Sequence, residues 1–290
     1  MRKGAKLSPE PAEAPDPEID RLSPGDFRRL AKFINAYSGI KMPESKRLML
    51  EGRLRRRLRA TGFSRFVDYC EHLFNGEGME TEAIFLIDAV TTNKTDFFRE
   101  PNHFDALTAT ILPEFVRRGA NSLRIWSAAC SIGAEPYTIA MVCADFAESH
   151  GPLKTFILAT DLSTDVLRAA RHGVYPADML APVPQALRRR YTKTSARDRS
   201  QVRVVPELRA HIGFARLNLM DELYPVGDPM HIIFCRNVLI YFDKATQRQV
   251  LDRLCRRLEP GGYLFLGHSE SVTGFDLPIR SIGGTIFQKT

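Results

Sequence analysis

A chain of 290 residues, 44% hydrophobic and 26% charged, has the size and composition of one or two globular domains with a substantial core, which excludes a peptide hormone or a disulfide-stapled miniature. Its apolar runs, such as residues 84–87 and 231–235, fall far short of the roughly 18 residues of a membrane-spanning helix, and its five cysteines form no CxxC pair. With no basic, apolar leader at the N-terminus a reduced cytoplasmic protein without a zinc cluster is expected, and the net charge of +7 leaves a nucleic acid, an anionic surface or an acidic protein open as partner.

Residues 1–20 hold Pro9, Pro11, Pro15 and Pro17 among small and acidic residues, which neither propagate a helix nor bury apolar surface, so a disordered tail is expected. Residues 21–90 read as a small all-α domain. Ser23 and Pro24 supply a cap and a first turn, and Gly62 and Gly76 to Gly78 mark breaks between helices. One helix carries nearly all the excess charge: between Lys41 and Ala60 eight basic residues face only Glu44 and Glu51, a local sum of +6. At 100° per residue Leu50, Leu54 and Leu58 form one stripe and Arg55, Arg56 and Arg59 lie opposite. Such a face is either simply solvated or a docking surface for something acidic.

Beyond Thr91 short β-rich runs alternate with helices. Residues 123–128 predict a strand, then a Ser131-Ile132-Gly133 turn and a helix opening near Pro136, with Ile139, Val142, Cys143 and Phe146 at helical spacing. Residues 155–159 predict the next strand, after which Ser163 caps a helix that Gly173 ends. The apolar run 231–235 suits a central parallel strand covered on both faces. Asp243 caps a helix carrying Val250, Leu251, Leu254 and Leu258, which Pro260-Gly261-Gly262 is expected to end before a strand over 263–266. Repeated β-α units imply an α/β fold with a doubly wound sheet. Between about 174 and 216 the pattern lapses into Pro-rich and then alternating text (201–205, 211–214), read as a small antiparallel β insertion.

Ligands of open α/β sheets sit at the carboxyl ends of strands, where loops and helix N-termini offer free amides. Two consecutive strand ends fit. The first is the small-residue loop Ala128 to Glu135; the second is Asp161, 28 residues beyond Gly133, where an acidic residue accepts ribose hydroxyls. Together they read as a nucleoside pocket. The loop is not GxGxxG and no GxxxxGK[ST] occurs, and a tight turn with a helix-capping aspartate accounts for the same residues.

Longer strings in a fixed order decide between these. They are Thr91-Thr-Asn-Lys-Thr-Asp-Phe-Phe-Arg-Glu100, Trp126-Ser-Ala-Ala-Cys-Ser-Ile-Gly-Ala-Glu-Pro-Tyr137, Ala159-Thr-Asp161, Asn218-Leu219, Phe234-Cys-Arg-Asn-Val-Leu-Ile-Tyr-Phe-Asp243 and Gly267-His-Ser-Glu270. Over residues 22–290 the chain resembles the chemotaxis receptor methyltransferases of the CheR type. That resemblance implies a Rossmann-like methyltransferase domain over 91–290, behind a receptor-docking helical domain over 21–90. It implies S-adenosyl-L-methionine as cofactor, S-adenosyl-L-homocysteine as product, and methyl esters formed on glutamates of the cytoplasmic helical bundles of chemoreceptors.

By the same resemblance the cofactor contacts are Asn93, Thr95, Arg99, Glu135, Asp161, Asn218, Leu219, Arg236 and Asn237, and no metal is implied. Asp161 is expected at the ribose hydroxyls, Glu135 at the ammonium end, Asn218 and Leu219 around the adenine, and Arg99 at the cofactor carboxylate or the incoming glutamate. Arg99 and Tyr241 stand nearest the chemistry. A glutamate is already ionised at neutral pH, so orientation and desolvation carry the rate and no general base is required. His268 is read as structural, and Cys130 and Cys235 as packing residues.

The basic helix then acquires a partner: Arg53, Arg55, Arg56, Arg57 and Arg59 are expected to dock the acidic receptor bundle, with a monomeric enzyme acting without nucleic acid and without entering the membrane. Two departures from the family stand out. The first loop reads Ser-Ile-Gly-Ala-Glu where many members have Thr-Gly-Glu-Glu. The stretch Tyr191 to Ser200 lacks glycine, unlike the glycine-rich hairpin tip of members that tether to a receptor pentapeptide, so independence from that tether is expected. A nucleic-acid methyltransferase and a noncatalytic cofactor-binding scaffold are the competing functions; against the first, the arginines are not interleaved with aromatics.

Overall fold

The structure, a computed structural model, describes residues 20–196 and 198–290. The expected tail, residues 1–20, lies outside the described residues except for Asp20. Helices α1 (Pro24–Ser38), α2 (Arg47–Thr61), α3 (Phe66–Asn75) and α4 (Gly78–Val90) come first. They form because each offers one apolar stripe: Leu30 and Ile34, then Leu50, Leu54 and Leu58, then Phe66, Tyr69 and Leu73, then Leu86 and Val90 meet in one buried core. Ser23 caps α1 by accepting the Asp26 amide at 3.0 Å, with Pro24 in its first turn.

A helix in three pieces follows: α5 (Asn102–Ala106), a wide turn over Leu107–Ile111, and α6 (Leu112–Arg117). Next come β1 (Ser122–Ala128), α7 (Ala134–His150), β2 (Lys154–Asp161) and α8 (Thr164–His172). The insertion contains β3 (Val174–Pro176), α9 (Gln185–Tyr191), β4 (Thr192–Thr194) and β5 (Gln201–Val204). The chain closes with α10 (Pro206–Arg209), β6 (Ile212–Arg216), β7 (Met230–Cys235), α11 (Lys244–Arg257), β8 (Leu258–Leu266), β9 (Ile279–Gly283) and β10 (Ile286–Lys289).

Seven strands make the main sheet in the order β6-β2-β1-β7-β8-β10-β9. The first five are parallel; β10 runs antiparallel to β8 and to β9. Both faces are covered, and alternate residues sort between two cores as a pleated strand requires. Ile125, Ile232, Phe234 and Phe265 face the core under α7, whereas Trp126, Ile233, Cys235 and Leu264 face the core under α11. Among the described residues no helix is long and apolar enough to cross a membrane.

Two sequence expectations need correction. Residues 211–214 do not belong to the antiparallel insertion: Ile212–Arg216 adds to the edge of the main sheet, parallel to β2. The separate sheet is β3-β5-β4 and ends at Val204. A short run of this kind is suited to either sheet, and packing against α8 and α7, which is not local in sequence, holds it at the edge of the main one. Pro260-Gly261-Gly262 does not end α11 either. The helix stops at Arg257, Leu258 is already extended, and the Pro-Gly-Gly stretch forms an irregularity within β8, where pairing with β7 slips between Met230 and Ile232.

The helical domain is latched onto the sheet domain rather than merely tethered to it. Asp88 of α4 accepts the Thr164 amide at 2.9 Å and its hydroxyl at 2.7 Å, the Asn218 amide donates to the Tyr37 carbonyl at 2.6 Å, and the Lys41 amide donates to the Tyr241 carbonyl at 3.0 Å.

Candidate active site

The carboxyl ends of β1, β2 and β7 open into one cleft of about 1180 Å³, its open mouth included. Every residue expected at the cofactor or the chemistry lines it: Asn93, Thr95, Arg99, Glu135, Asp161, Asn218, Leu219, Arg236, Asn237 and Tyr241. The local backbone explains how. All five non-glycine residues with left-handed φ among the described residues, Phe98, Glu100, Ala129, Ser131 and Asn237, lie in the three loops around this cleft. Such conformations cost about 1 kcal/mol or more each and persist only where surroundings enforce them.

The β1 loop is enforced by Asp161. Its Oδ2 accepts the Ser131 amide at 2.8 Å and its Oδ1 the Ser163 amide at 2.9 Å, while the Ser131 hydroxyl donates to the Asn93 carbonyl at 2.8 Å. Gly133 completes the turn at φ +93°; a Cβ there would lie 2.9 Å from the Ala170 methyl group and 3.0 Å from the Tyr175 hydroxyl. Burial pushes the Asp161 carboxyl up, against the pull of the amides of Ser163, Ser131 and Leu162. Each of its oxygens keeps a lone pair for a hydroxyl donor.

Arg236 organises the other wall. Its Nη1 stands 3.3 Å from Glu135 Oε2, and its Nη2 and Nε stand 3.1 and 3.3 Å from Glu100 Oε2; Nη2 also donates to the Arg99 carbonyl. Glu135 accepts the Ser127 hydroxyl at 2.7 Å. Burial pushes Glu135 upward, opposed by the Arg236 charge and the Ser127 hydroxyl. Glu100 lies below the usual carboxylate range: burial would raise it, but hydrogen bonds from Asn237 and the His268 amide, together with Arg236, outweigh that.

This geometry refines the residue expectations. Arg236 lines the cleft, yet its side chain is 2% exposed and its donors are committed to protein oxygens, so it holds other groups in place. Asn218 likewise has its amide engaged, Nδ2 on Tyr37 and Oδ1 on the Met220 amide at 3.0 Å. Arg99 is freer: its guanidinium bonds only the Lys94 carbonyl at 3.2 Å among the described residues. The Tyr241 hydroxyl has no partner among them, and its residue is half-buried at the same mouth.

Of the five arginines expected to dock a receptor, three are occupied inside the helical domain. Arg53 donates to the carbonyls of Val90 and Thr91 and to the Thr92 hydroxyl; Arg57 grips Glu82, Nε to Oε2 at 2.6 Å, and lies over Phe85; Arg55 pairs with Glu51 at 2.7 Å and donates to the Asp20 carbonyl. Arg56 and Arg59 are exposed.

Sequence reasoning missed the roof of the cleft. Ser38, Ile40, Met42, Lys46 and Met49 come from the helical domain and carry no motif that marks them. Glu100 and Glu270 stand inside the strings that carry the family resemblance, yet no local pattern marks them for a role. His103, fully buried, is held by Thr285: the Thr285 hydroxyl donates to the Leu266 carbonyl at 2.7 Å, so at 3.1 Å it accepts from His103 Nε2. Burial, with the Arg236 charge, pushes His103 down to about 4. Ligand atoms of Glu100, His103 and His268 lie within 4.8 Å of one another, but the Glu100 oxygens already accept from Arg236, Asn237 and the His268 amide.

The donor set fits S-adenosylmethionine. The half-buried Glu135 and buried Asp161 carboxylates complement a cationic ligand with paired hydroxyls, and the small residues Ala128 to Ser131 admit it close to the backbone. Residues 93–287 match the family model described as CheR methyltransferase, SAM binding domain, and residues 25–91 match that described as CheR methyltransferase, all-alpha domain. The chain is 40% identical to the chemotaxis protein methyltransferase of Borreliella burgdorferi, over 87% of this chain and 90% of that one. It is 41% identical to that of Salmonella typhimurium (92% and 90% covered) and 40% identical to that of Escherichia coli (92% and 91%). The chain therefore belongs to the CheR family of S-adenosylmethionine-dependent chemotaxis protein methyltransferases.

Proposed function

We propose that this protein methylates glutamate side chains on the cytoplasmic helical bundles of chemoreceptors, forming glutamate methyl esters, and that it does so without a receptor pentapeptide tether. The observation that carries the reading is the shared mouth of the cleft. There the guanidinium of Arg99, with a single bond to the Lys94 carbonyl, and the hydroxyl of Tyr241, unpartnered among the described residues, face the same space as the Glu135 and Asp161 carboxylates that suit the cofactor.

S-adenosylmethionine supplies a methyl group on a cationic sulfur. In this reading Asp161 holds the ribose hydroxyls, Glu135 the ammonium end, and Asn93, Thr95 and the Asn218-Leu219 backbone frame the rest. Arg99 receives the acceptor carboxylate with its planar fork, and Tyr241 steadies one oxygen of it. The acceptor arrives ionised, so no side chain needs to remove a proton. The helical roof excludes water, which strengthens each of these contacts.

Receptor docking falls to half-buried Lys46 and the exposed Arg56 and Arg59. Lys46 at the rim, with Arg56 and Arg59 along α2, presents positive charge beside the exposed side chains of Leu48 and Met49, a combination that suits an amphipathic acidic helix. Independence from the tether is supported by the tip between β4 and β5. Asp198 Oδ1 accepts the Ser200 amide at 2.9 Å and Ser195 Oγ accepts the Asp198 amide at 3.1 Å, so the turn is built from polar side chains.

Tritiated methyl transfer to a receptor fragment tests the function. An ester releases methanol in alkali; stable label on nucleic acid or no transfer at all would replace the reading with one of its competitors. Micromolar binding of a receptor C-terminal pentapeptide in calorimetry would remove the tether-independence.

A further inference from the structure

Glu270 does not line the cleft, yet four backbone amides converge on its carboxylate. Val238 and Leu239 donate to Oε1 at 2.8 and 2.7 Å; Asn237 and Gly267 donate to Oε2 at 2.9 and 2.6 Å. The residue is 5% exposed. Three of these amides belong to the turn after β7 and the fourth to the turn after β8, so one side chain ties two strand ends together. The first turn carries Asn237 at φ 59° and runs into the short helical turn Leu239–Tyr241.

Asn237 is gripped from the other side as well, its Nδ2 donating to Glu100 Oε1 at 3.1 Å. Because a carboxylate can only accept, that bond fixes the amide's orientation and leaves Oδ1 as its uncommitted atom. Gly267 closes the arrangement: a Cβ there would lie 2.9 Å from the Asn237 nitrogen. By contrast, the groups suited to the nucleoside end of the cofactor, Asp161 and Asn218, share no hydrogen bond with Glu270.

We propose that Glu270 is a positioning residue for methyl transfer, acting through the Asn237–Tyr241 turn and touching neither cofactor nor acceptor. It rests on the reading that Tyr241 stands beside the acceptor glutamate. An ionised carboxylate offers about four lone-pair sites, matching the four amides. Glutamine in its place offers two acceptors and turns two donors against two N–H groups. Aspartate keeps the charge but is one methylene short of spanning both turns.

The test uses the full chain with Glu270→Gln and Glu270→Asp, measuring S-adenosylhomocysteine affinity by calorimetry, initial rates of methyl ester formation on a receptor fragment, and thermal melts. Both variants are expected to lose no more than about tenfold in S-adenosylhomocysteine affinity, the scale of one displaced hydrogen bond at Asn237, while kcat falls about 100-fold, the scale of a misplacement near 1 Å, with Glu270→Asp the milder. Parental kcat overturns the proposal. So does a loss of affinity in step with kcat, which marks a merely structural role. If Glu270→Gln does not fold, Glu270→Asp decides by the same two criteria. A parent protein that binds S-adenosylhomocysteine but forms no ester sinks the glutamate reading itself, and this inference with it, before any variant is compared.

Discussion

Arg236 and Glu135 stand 3.3 Å apart in the wall of the cleft, and the same guanidinium reaches Glu100 at 3.1 Å, so one buried cation neutralises two carboxylates. Removing it strands both. Arg236→Met is expected to lower stability by about 3 kcal/mol or more, the usual cost of leaving a buried charge uncompensated. Arg236→Lys is expected to recover part of that, since an ammonium cannot serve both carboxylates and the Arg99 carbonyl at once. Urea denaturation checks this; an unshifted midpoint for Arg236→Met would show that the ion chain contributes nothing to the fold.

The raised carboxyls of Glu135 and Asp161 make a signed statement about pH. A carboxyl whose folded pKa exceeds its unfolded value adds stability in acid, and that contribution disappears as pH rises through the folded pKa. Cofactor binding runs the other way, because a cationic ligand needs the ionised form. Affinity for S-adenosylmethionine is expected to rise as pH climbs through the raised carboxyl range, with protons released on binding, and Glu135→Gln is expected to reduce that release. Calorimetry in buffers of different ionisation enthalpy measures it; affinity independent of pH would contradict the assignment of Glu135.

The arginines of α2 divide into two experimental classes. Arg56→Ala with Arg59→Ala is expected to raise KM for receptor severalfold and to flatten its salt dependence, leaving the melt and the S-adenosylhomocysteine affinity alone. Arg57→Met breaks the pair with Glu82, so it is expected to cost about 1–3 kcal/mol of stability. Receptor kinetics that do not respond to the exposed pair would refute the docking role.

At the mouth, Arg99→Lys is expected to lower kcat/KM for receptor about 10- to 100-fold with little change in melting temperature, because among the described residues its guanidinium bonds only the Lys94 carbonyl. Tyr241→Phe removes only a hydroxyl and is expected to lower kcat about tenfold. Rates equal to the parent in both variants would move the acceptor elsewhere in the cleft.

Much of the architecture was legible in the chain itself. Ser23, Ser163 and Asp243 announce helix starts because capping is a contact over three residues. The strands over 123–128 and 231–235 show as apolar runs because both faces are buried. Asp161 and the Ala128 to Glu135 loop mark the cleft, since a ligand close to backbone restricts residue size locally. Arg57 could not be read in this way: its partner Glu82 lies 25 residues away, and a helical wheel shows where a cation points, not what meets it.

What the amino-acid order determined alone is therefore everything set by neighbours a turn or a pleat apart: element type, caps, and the small and acidic residues at strand ends. Tertiary packing decided the rest. It placed Ile212–Arg216 at the edge of the main sheet, drew Pro260-Gly261-Gly262 into β8, roofed the cleft with Met42 and Met49, and satisfied Arg53, Arg55 and Arg57 from within. The reason is physical: burial and charge compensation depend on which distant groups arrive at the same place, and no local pattern carries that information.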